Sequence, residues 1–476
     1  MHGSECAAIR NATPGGEIDW DEVILVTFAL AANNEALREA ANRLIMQPIR
    51  DRAYFTPAEL LAAYPPDPVA VAAIEGFAAN HGLTMLRGDE HQPLRQMMVP
   101  VRDVKDLFGT DLVNYRTQEG KVVRARTGPV SLPARDFNDR QMRGLRGVFG
   151  LENSSRAVRR HEPAAGPSAF GGSGPPAAYD FPRNLKGDGQ VIGILEFGGR
   201  IQAIDLPRIL GIHSGPTNAH VVSLTETIAA PSPRFLAESS TDGQIVRRIL
   251  PNATIVYYLL PDNEQGWIAG MHRILADETF RPSVLSISWG YFEAASNAAD
   301  LAYWTPAAID ALEDAFARAA LLGITVCCCS GDEGVGNPGP SVYYPASSQY
   351  ALTCGGTKFS GVEEVWCDRS TGGSSGGGIS SLIPKPAWQH AEEVRPTSIG
   401  LPSQPDDAPA MRMIPDVAAI AQTTVTHWGS VAGTSAAAPL WAALIGGANQ
   451  QLMEMNLNRR VGNMTALLYD KRTGLQ

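Results

Sequence analysis

The sequence predicts an α/β protein built on a doubly wound parallel sheet and preceded by a smaller α+β module. Three observations predict it. First, VIGILEF (191–197), ATIVYYLL (253–260), SVLSIS (283–288) and GITVCCC (323–329) are the unbroken apolar runs of strands buried on both faces. Second, stretches with helical spacing, GWIAGMHRILAD and AAIDALEDAFARAALLG, lie between them, and sheets wound this way bind ligands beyond the carboxyl ends of their strands. Third, RRHEPAAGPSAFGGSGPPAAYDFP (159–182) is too rich in Gly, Pro, Ala and Ser for regular structure and reads as an exposed, cuttable linker.

Ahead of that linker, VILVTFAL (23–30) reads as a strand and NEALREAANRLI (34–45) and VAAIEGFAANHGL (71–83) as helices. QMMVPV (96–101) then reads as a strand and VKDLFGT as a short helix. VILVTFALAA imitates the apolar part of a signal peptide, but EIDWDE before it is acidic where a signal is basic. The expected division is a first module over 1–160, a linker over 161–178 and a second domain over 179–476.

Charge divides along the same line. Residues 1–165 carry 20 Lys+Arg against 21 Asp+Glu and the remainder 19 against 28, so most of the net charge of -10 falls in the second portion. No basic face suits nucleic acid, and no apolar run approaches a membrane span. The six cysteines are too few to staple a chain of this size. Cys327, Cys328 and Cys329 read as small buried thiols of one strand, and a pair between Cys354 and Cys367 is left open.

Three segments carry candidate chemistry. VAGTSAAAPL (431–440) sets Ser435 among very small residues at the start of an apparent helix, a place that also suits a plain N-cap. ESSTDGQIVRRIL (238–250) puts Glu238 and Asp242 four apart on one helix face, which also suits a solvated acidic first turn. SGDEG (330–334) holds Asp332 in a glycine-flanked turn at a strand end, where Asp often only satisfies turn amides.

Taken together and in order, GILEFGG, the Glu-x-x-x-Asp pair, SISWG, SGDEG, YYPASS, CGGT, STGGSSGGGISSLIPKPAWQ, IPDVAA and GTSAAAP resemble the sedolisin (kumamolisin-like) serine-carboxyl peptidases, which have a subtilisin-like fold. YFTPAELLAAYPPD and LFGTDLVNYR resemble that family's N-terminal propeptide. The resemblance implies an acid-active serine endopeptidase that works through an acyl-enzyme and is made as a self-processing proenzyme. It implies Ser435 as nucleophile, Glu238 as general base, Asp242 as the carboxylate orienting that base, and Asp332 as the acid that helps bind the oxyanion. Glu196 and Trp289 match positions of the supporting hydrogen-bond network, and Ser288, Trp289 and Gly290 match backbone lining the substrate cleft.

The chemistry is consistent with those roles. A serine hydroxyl needs a partner to take its proton, yet His213, His220, His272, His390 and His427 stand in unrelated surroundings. A Glu base suits acidic pH, and Asp332 can donate to an oxyanion only while protonated, so one acidic window serves both. The Arg-rich stretch 116–146 is expected to hold the propeptide on the acidic catalytic half, with the attraction weakening as carboxylates protonate.

Two departures from the family stand out. Only 41 residues follow Ser435, and NMTALLYDKRTGLQ offers no match for the family's calcium ligands, so the domain reads as truncated and calcium is expected from the family alone. Tyr343 stands two before Pro345, where some members carry an acid, so a preference for basic side chains is not implied. The rivals are an esterase using Ser374 or Ser375 of STGGSSGGG, a G-x-S-x-G match without a following helix, and a non-catalytic relative serving as scaffold. The expected partners are peptide or protein substrates and the chain's own propeptide as intramolecular inhibitor, with no nucleic acid and no membrane. A secreted monomer is expected.

Overall fold

The first module forms an antiparallel sheet in the computed structural model, which describes residues 4, 12–32, 34–86, 92–117, 120–153, 162–163, 179–197, 199–224, 233–293, 304–335, 341–359, 362–368, 373–390, 411–425, 429–457 and 460–470. Strand β1 (Val23–Leu30) is flanked by β2 (Leu94–Pro100) and β3 (Leu145–Phe149), both antiparallel to it. Helix α1 (Asn34–Ile45) follows β1, and α2 (Pro68–Asn80) starts with Pro68 after Asp67, whose carboxylate accepts from the Val69 N–H. Phe28, Phe77, Phe108 and Phe137 meet between α2 and the sheet. This is the α+β module expected from the sequence.

The second module is laid out on strands β4 (Val191–Phe197), β5 (Ala219–Ser223), β6 (Thr254–Leu260), β7 (Val284–Ile287), β8 (Thr325–Cys329), β9 (Ala351–Phe359) and β10 (Val417–Ile420). Neighbours run β5-β6-β4-β7-β8-β9-β10, all parallel, and the short strand Glu363–Val365 turns back antiparallel on β9. From β4 the chain builds outward to β5 and β6 on one side, then returns to place β7 on the other. The switch point therefore falls between β4 and β7, where a crevice opens beyond the strand ends.

Helices α3 (Pro233–Ile249) and α6 (Ala437–Glu454) cover one face, and α4 (Glu264–Leu275) and α5 (Pro306–Leu321) cover the other. Side-chain alternation along β8 sends Cys327 and Cys329 to the α3/α6 face and Cys328 to the α4/α5 face. All three are buried free thiols, as read from the sequence. Cys354 is also buried and free while Cys367 is exposed, so these two are not joined.

The modules share a core. Leu37, Ala41, Leu44 and Ile45 of α1, with Leu60 and Phe149, belong to the same apolar cluster as α4 and α5. At its rim Arg38 Nε donates to Asp314 at 2.6 Å and its Nη2 to Asp310 at 2.7 Å. Arg146 meets the same two carboxylates at 3.1 and 2.9 Å. Arg146 is the one member of the expected arginine stretch in this contact. Arg124, Arg126 and Arg140 instead pair with Glu22, Glu152 and Asp67 inside the first module, because those acids fold next to them.

Candidate active site

The side chains singled out from the sequence gather at the carboxyl ends of β4, β7 and β8. Glu196 is the penultimate residue of β4 and fully buried, and its Oε2 accepts from the Trp289 indole Nε1 at 3.1 Å. Trp289 follows β7, its ring edge-on to Phe197, which stacks on Trp267 at 4.0 Å. Ser288 Oγ donates to the Ser435 carbonyl at 3.3 Å, and Gly290 packs so closely on the Tyr344 carbonyl that a Cβ would lie 2.9 Å from it.

Ser435 sits in a single 3-10 turn, Thr434–Ala436, that runs into α6, and it is 2% exposed. Ala436, Ala437 and Ala438 are buried against the sheet, which lets the helix start come this close. Strand β11 (Gly429–Ala432) delivers the chain to the turn. Asp332 lies in the turn after β8, and its Oδ1 accepts from the Thr434 N–H at 2.7 Å and the Thr434 hydroxyl at 2.8 Å. Thr434 also reaches Gly331 from both directions, at 3.1 Å each. A Cβ on Gly433 would stand 2.9 Å from Asp332 Oδ2, so only glycine passes there comfortably. The carboxyl group is thus bonded to the residue directly before the serine.

Glu238 and Asp242 lie on α3, which packs against the Ser435 turn and α6. The alternative of a solvated acidic first turn is not what the structure has. The helix begins at Pro233, so both acids fall in its interior, and both are fully buried. Such a polar helix can be buried because Ser239 and Thr241 turn their hydroxyls back to the carbonyls of Phe235 and Ala237, at 2.9 and 2.8 Å.

Tyr257 of β6 escaped the sequence reading. Its hydroxyl donates to the Ser239 carbonyl at 2.8 Å, and burial, then the charges of Glu196 and Asp242, push it well above the ordinary tyrosine range. The signal was a phenol on an inward-facing position of a buried strand opposite ESSTDG. A Cβ on Gly243 would come within 1.8 Å of that hydroxyl. Gly243→Ala should therefore cost about 1–3 kcal/mol by overpacking, and Tyr257→Phe in the same chain should recover part of it. A urea double-mutant cycle with no coupling would refute the wedge.

The remaining segments find other places. Ser375 Oγ accepts from the Gly356 N–H at 2.9 Å, and Ser374 N–H donates to the Asp332 carbonyl at 2.9 Å. The glycine-rich stretch is thus a brace for the Asp332 turn, and the strand Gly378–Pro384 follows it directly, where a nucleophile elbow needs a helix. Tyr343 donates to Glu333, whose carboxylate also takes the Asp332 N–H at 3.2 Å. His272 is buried on α4 with its pKa pulled down to about 3 by burial and by Arg318. Among the described residues no group of three or more His, Cys, Asp or Glu is arranged to hold a metal ion, so no residue is assigned to calcium. Likewise no described helix is long and apolar enough to cross a membrane.

One strand reaches the site from the linker. Glu162–Pro163 pairs antiparallel with β11, Pro163 opposite Val431 and Glu162 opposite Ala432, a few residues before Ser435. The rest of the expected processing segment, 161 and 164–178, lies outside the described residues.

A parallel sheet in this order, with a serine at the start of a buried helix beside its carboxyl edge, defines a subtilisin-like serine peptidase. Residues 10–139 match the pro-kumamolisin activation domain and residues 230–469 the subtilase family. Kumamolisin from Bacillus sp. (strain MN-32) is 32% identical over 84% of this chain and 74% of its own length. Tripeptidyl-peptidase sed5 from Aspergillus fumigatus is 24% identical over 72% of this chain and 66% of its own, and canine tripeptidyl-peptidase 1 is 26% identical over 57% and 49%. The solved Pseudomonas sedolisin, a serine-carboxyl proteinase, aligns over 65% of this chain and 88% of its own at 21% identity and a TM-score of 0.49. The chain belongs to the kumamolisin-type serine-carboxyl peptidases: it is a peptide hydrolase that carries an activation domain ahead of its catalytic domain.

Proposed function

We propose that this chain is a precursor that removes its own residues 1 to about 160 by a cut within 159–178 and then acts as an acid endopeptidase. The observation that carries this reading is the bond of Asp332 to Thr434, the residue before Ser435, beside a buried helix that holds Glu238 and Asp242. Ser435 attacks the scissile carbonyl while Glu238 takes its proton, and Asp242 orients Glu238. With Oδ1 engaged by Thr434, the proton that Asp332 lends to the oxyanion sits on Oδ2, and the start of α6 adds its own partial positive charge. Glu196 and Trp289 hold the neighbouring wall, and the 288–290 backbone receives the substrate chain. The pairing of 162–163 with β11 supports a linker that threads the cleft as a substrate does. An enzyme tuned to acid fits an acidic space outside the cytoplasm.

The test is intact mass after moving the precursor from pH 7 to about pH 4, beside a Ser435→Ala control. A cut within the linker in the unmutated chain alone is the expected result. No cut in either chain favours the scaffold reading, and a cut in both points to a contaminating peptidase.

The contact of Arg38 and Arg146 with Asp310 and Asp314 bears on how pH acts on the folded precursor. Burial, partly countered by Arg38 and Arg146, holds the Asp314 carboxyl above its ordinary range. A group raised in this way adds stability that is fully present below the ordinary aspartate pKa and is lost as pH rises through the raised value. Removing a partner should loosen the docked module: Arg38→Ala takes from Asp314, 8% exposed, its nearest cation and leaves Arg146 at 3.1 Å, at a cost of about 1.5–3 kcal/mol to the docked state. In a Ser435→Ala background, the first module should then lose protection against an added protease at pH 7. Unchanged protection would show that the apolar cluster alone holds the modules.

A further inference from the structure

The amino ends of β4 and β7, opposite the active site, frame a cavity of about 310 Å3 between the strand starts and the last turns of α6. With strands rising about 3.3 Å per residue, it lies on the order of 20 Å from Glu196 and Trp289. Arg281, Arg460, Asn449, Ser283 and Gln190 line it. Asn449 is 2% exposed, and its Oδ1 accepts from the Val461 N–H at 2.8 Å, while its Nδ2 has no hydrogen-bond partner among the described residues. A buried amide donor left in this condition is costly unless something accepts from it.

Both guanidiniums face this space without a described acidic partner. No acidic side chain lines the cavity among the described residues, and Asp188 takes bonds from Asn252 and Gln450, Glu454 from Gln450, and Asp277 from Tyr258. Burial, then the charge of Arg281, pulls the Arg460 pKa down, which places the two cations within each other's field. Arg281 is held there at φ +47°, a left-handed conformation rare for a side chain of this kind. The carbonyl end of α6 offsets part of the repulsion, but it satisfies neither the guanidinium forks nor the Asn449 amide.

We propose that this cavity binds a small oxyanion, a phosphate or carboxylate group, which Arg281 and Arg460 grip from two sides while Asn449 Nδ2 donates to a third oxygen. Two guanidinium forks and one neutral amide form a donor set with no competing acceptor charge, the arrangement that oxyanions select. The site is remote from the reacting groups and acts on stability: an anion bound by the folded chain alone raises its melting temperature by mass action.

The experiment uses the Ser435→Ala precursor at pH 7, which keeps the chain intact. Melting temperature is followed against inorganic phosphate and, separately, citrate, with sodium chloride at matched ionic strength as control, and stoichiometry is read by calorimetry. The expected result is a rise of several degrees that grows with the logarithm of phosphate or citrate concentration, one site per chain, and is lost in Arg281→Gln and in Arg460→Gln. A response to phosphate alone assigns a phosphate-bearing ligand, and a response to citrate alone assigns a carboxylate. A rise no larger than with chloride overturns the proposal, as does a rise that survives both substitutions. Arg281 is exposed, so its substitution leaves the fold intact and a negative result stays interpretable. In the unmutated background, neither substitution should change peptide hydrolysis.

Discussion

Ser435→Ala should abolish peptide hydrolysis and linker cleavage, lowering kcat by about 10^4-fold or more, the scale on which serine peptidases lose rate with their nucleophile. The fold should survive. Position 435 is 2% exposed in a turn followed by three buried alanines, so a methyl group fits where the hydroxymethyl stood. The brace to β7 uses the Ser435 carbonyl, which the substitution keeps. The checks are hydrolysis of a peptide substrate at acid pH and thermal unfolding of both chains. Activity retained within tenfold, with the melting temperature unchanged, would move the nucleophile elsewhere and reopen the case for Ser374 or Ser375.

The second large effect separates two tasks of one carboxyl group. Asp332→Ala removes the acceptor for both donors of the fully buried Thr434. The hydroxyl keeps its 3.1 Å contact with the Gly331 carbonyl, but the N–H is orphaned, which should cost about 1–3 kcal/mol of stability. Loss of the oxyanion partner should lower kcat by about 10^2–10^3-fold as well. Asp332→Asn is expected to behave differently. Its amide oxygen takes over the two Thr434 donors and restores stability, and its NH2 falls beside Gly433, where it can donate at any pH. If Asp332 serves by lending a proton, the alkaline limb of the kcat profile should move up or vanish in Asp332→Asn, while the acid limb, set by Glu238, stays. An asparagine variant that is stable yet as slow as the alanine variant at every pH would show that more than a hydrogen bond is required of this group.

Much of the layout was legible in the chain because it is written in short-range patterns. A strand buried on both faces must be apolar throughout, and VIGILEF and GITVCCC lie where those runs put β4 and β8. NEALREAANRLI matches α1 at both ends. Three alanines and a proline after a serine mark a helix start that packs closely, and α6 begins there. SGDEG was placed at a strand end by its glycines, and the Asp332 turn follows β8 directly.

The tertiary structure decided what depends on residues far apart in the chain. Local pattern alone put ESSTDG at a helix start, with a solvated acidic turn as the alternative to a catalytic pair. In the fold it is the interior of a buried helix, because back-bonded serine and threonine hydroxyls hide the polarity that local patterning reads as exposure. The bonds joining Asp332 to Thr434 span 102 positions, and those of Arg38 to Asp314 span 276. The same holds for Glu162–Pro163 on β11 and for the two arginines around the remote cavity. Hydrophobic period and turn chemistry act over a few residues, so the sequence by itself determined which elements form and where the reactive side chains stand along them. Which buried charge meets which donor is settled only when the sheet order brings distant segments together, since the large desolvation cost of each charge is offset only by the particular partner placed beside it.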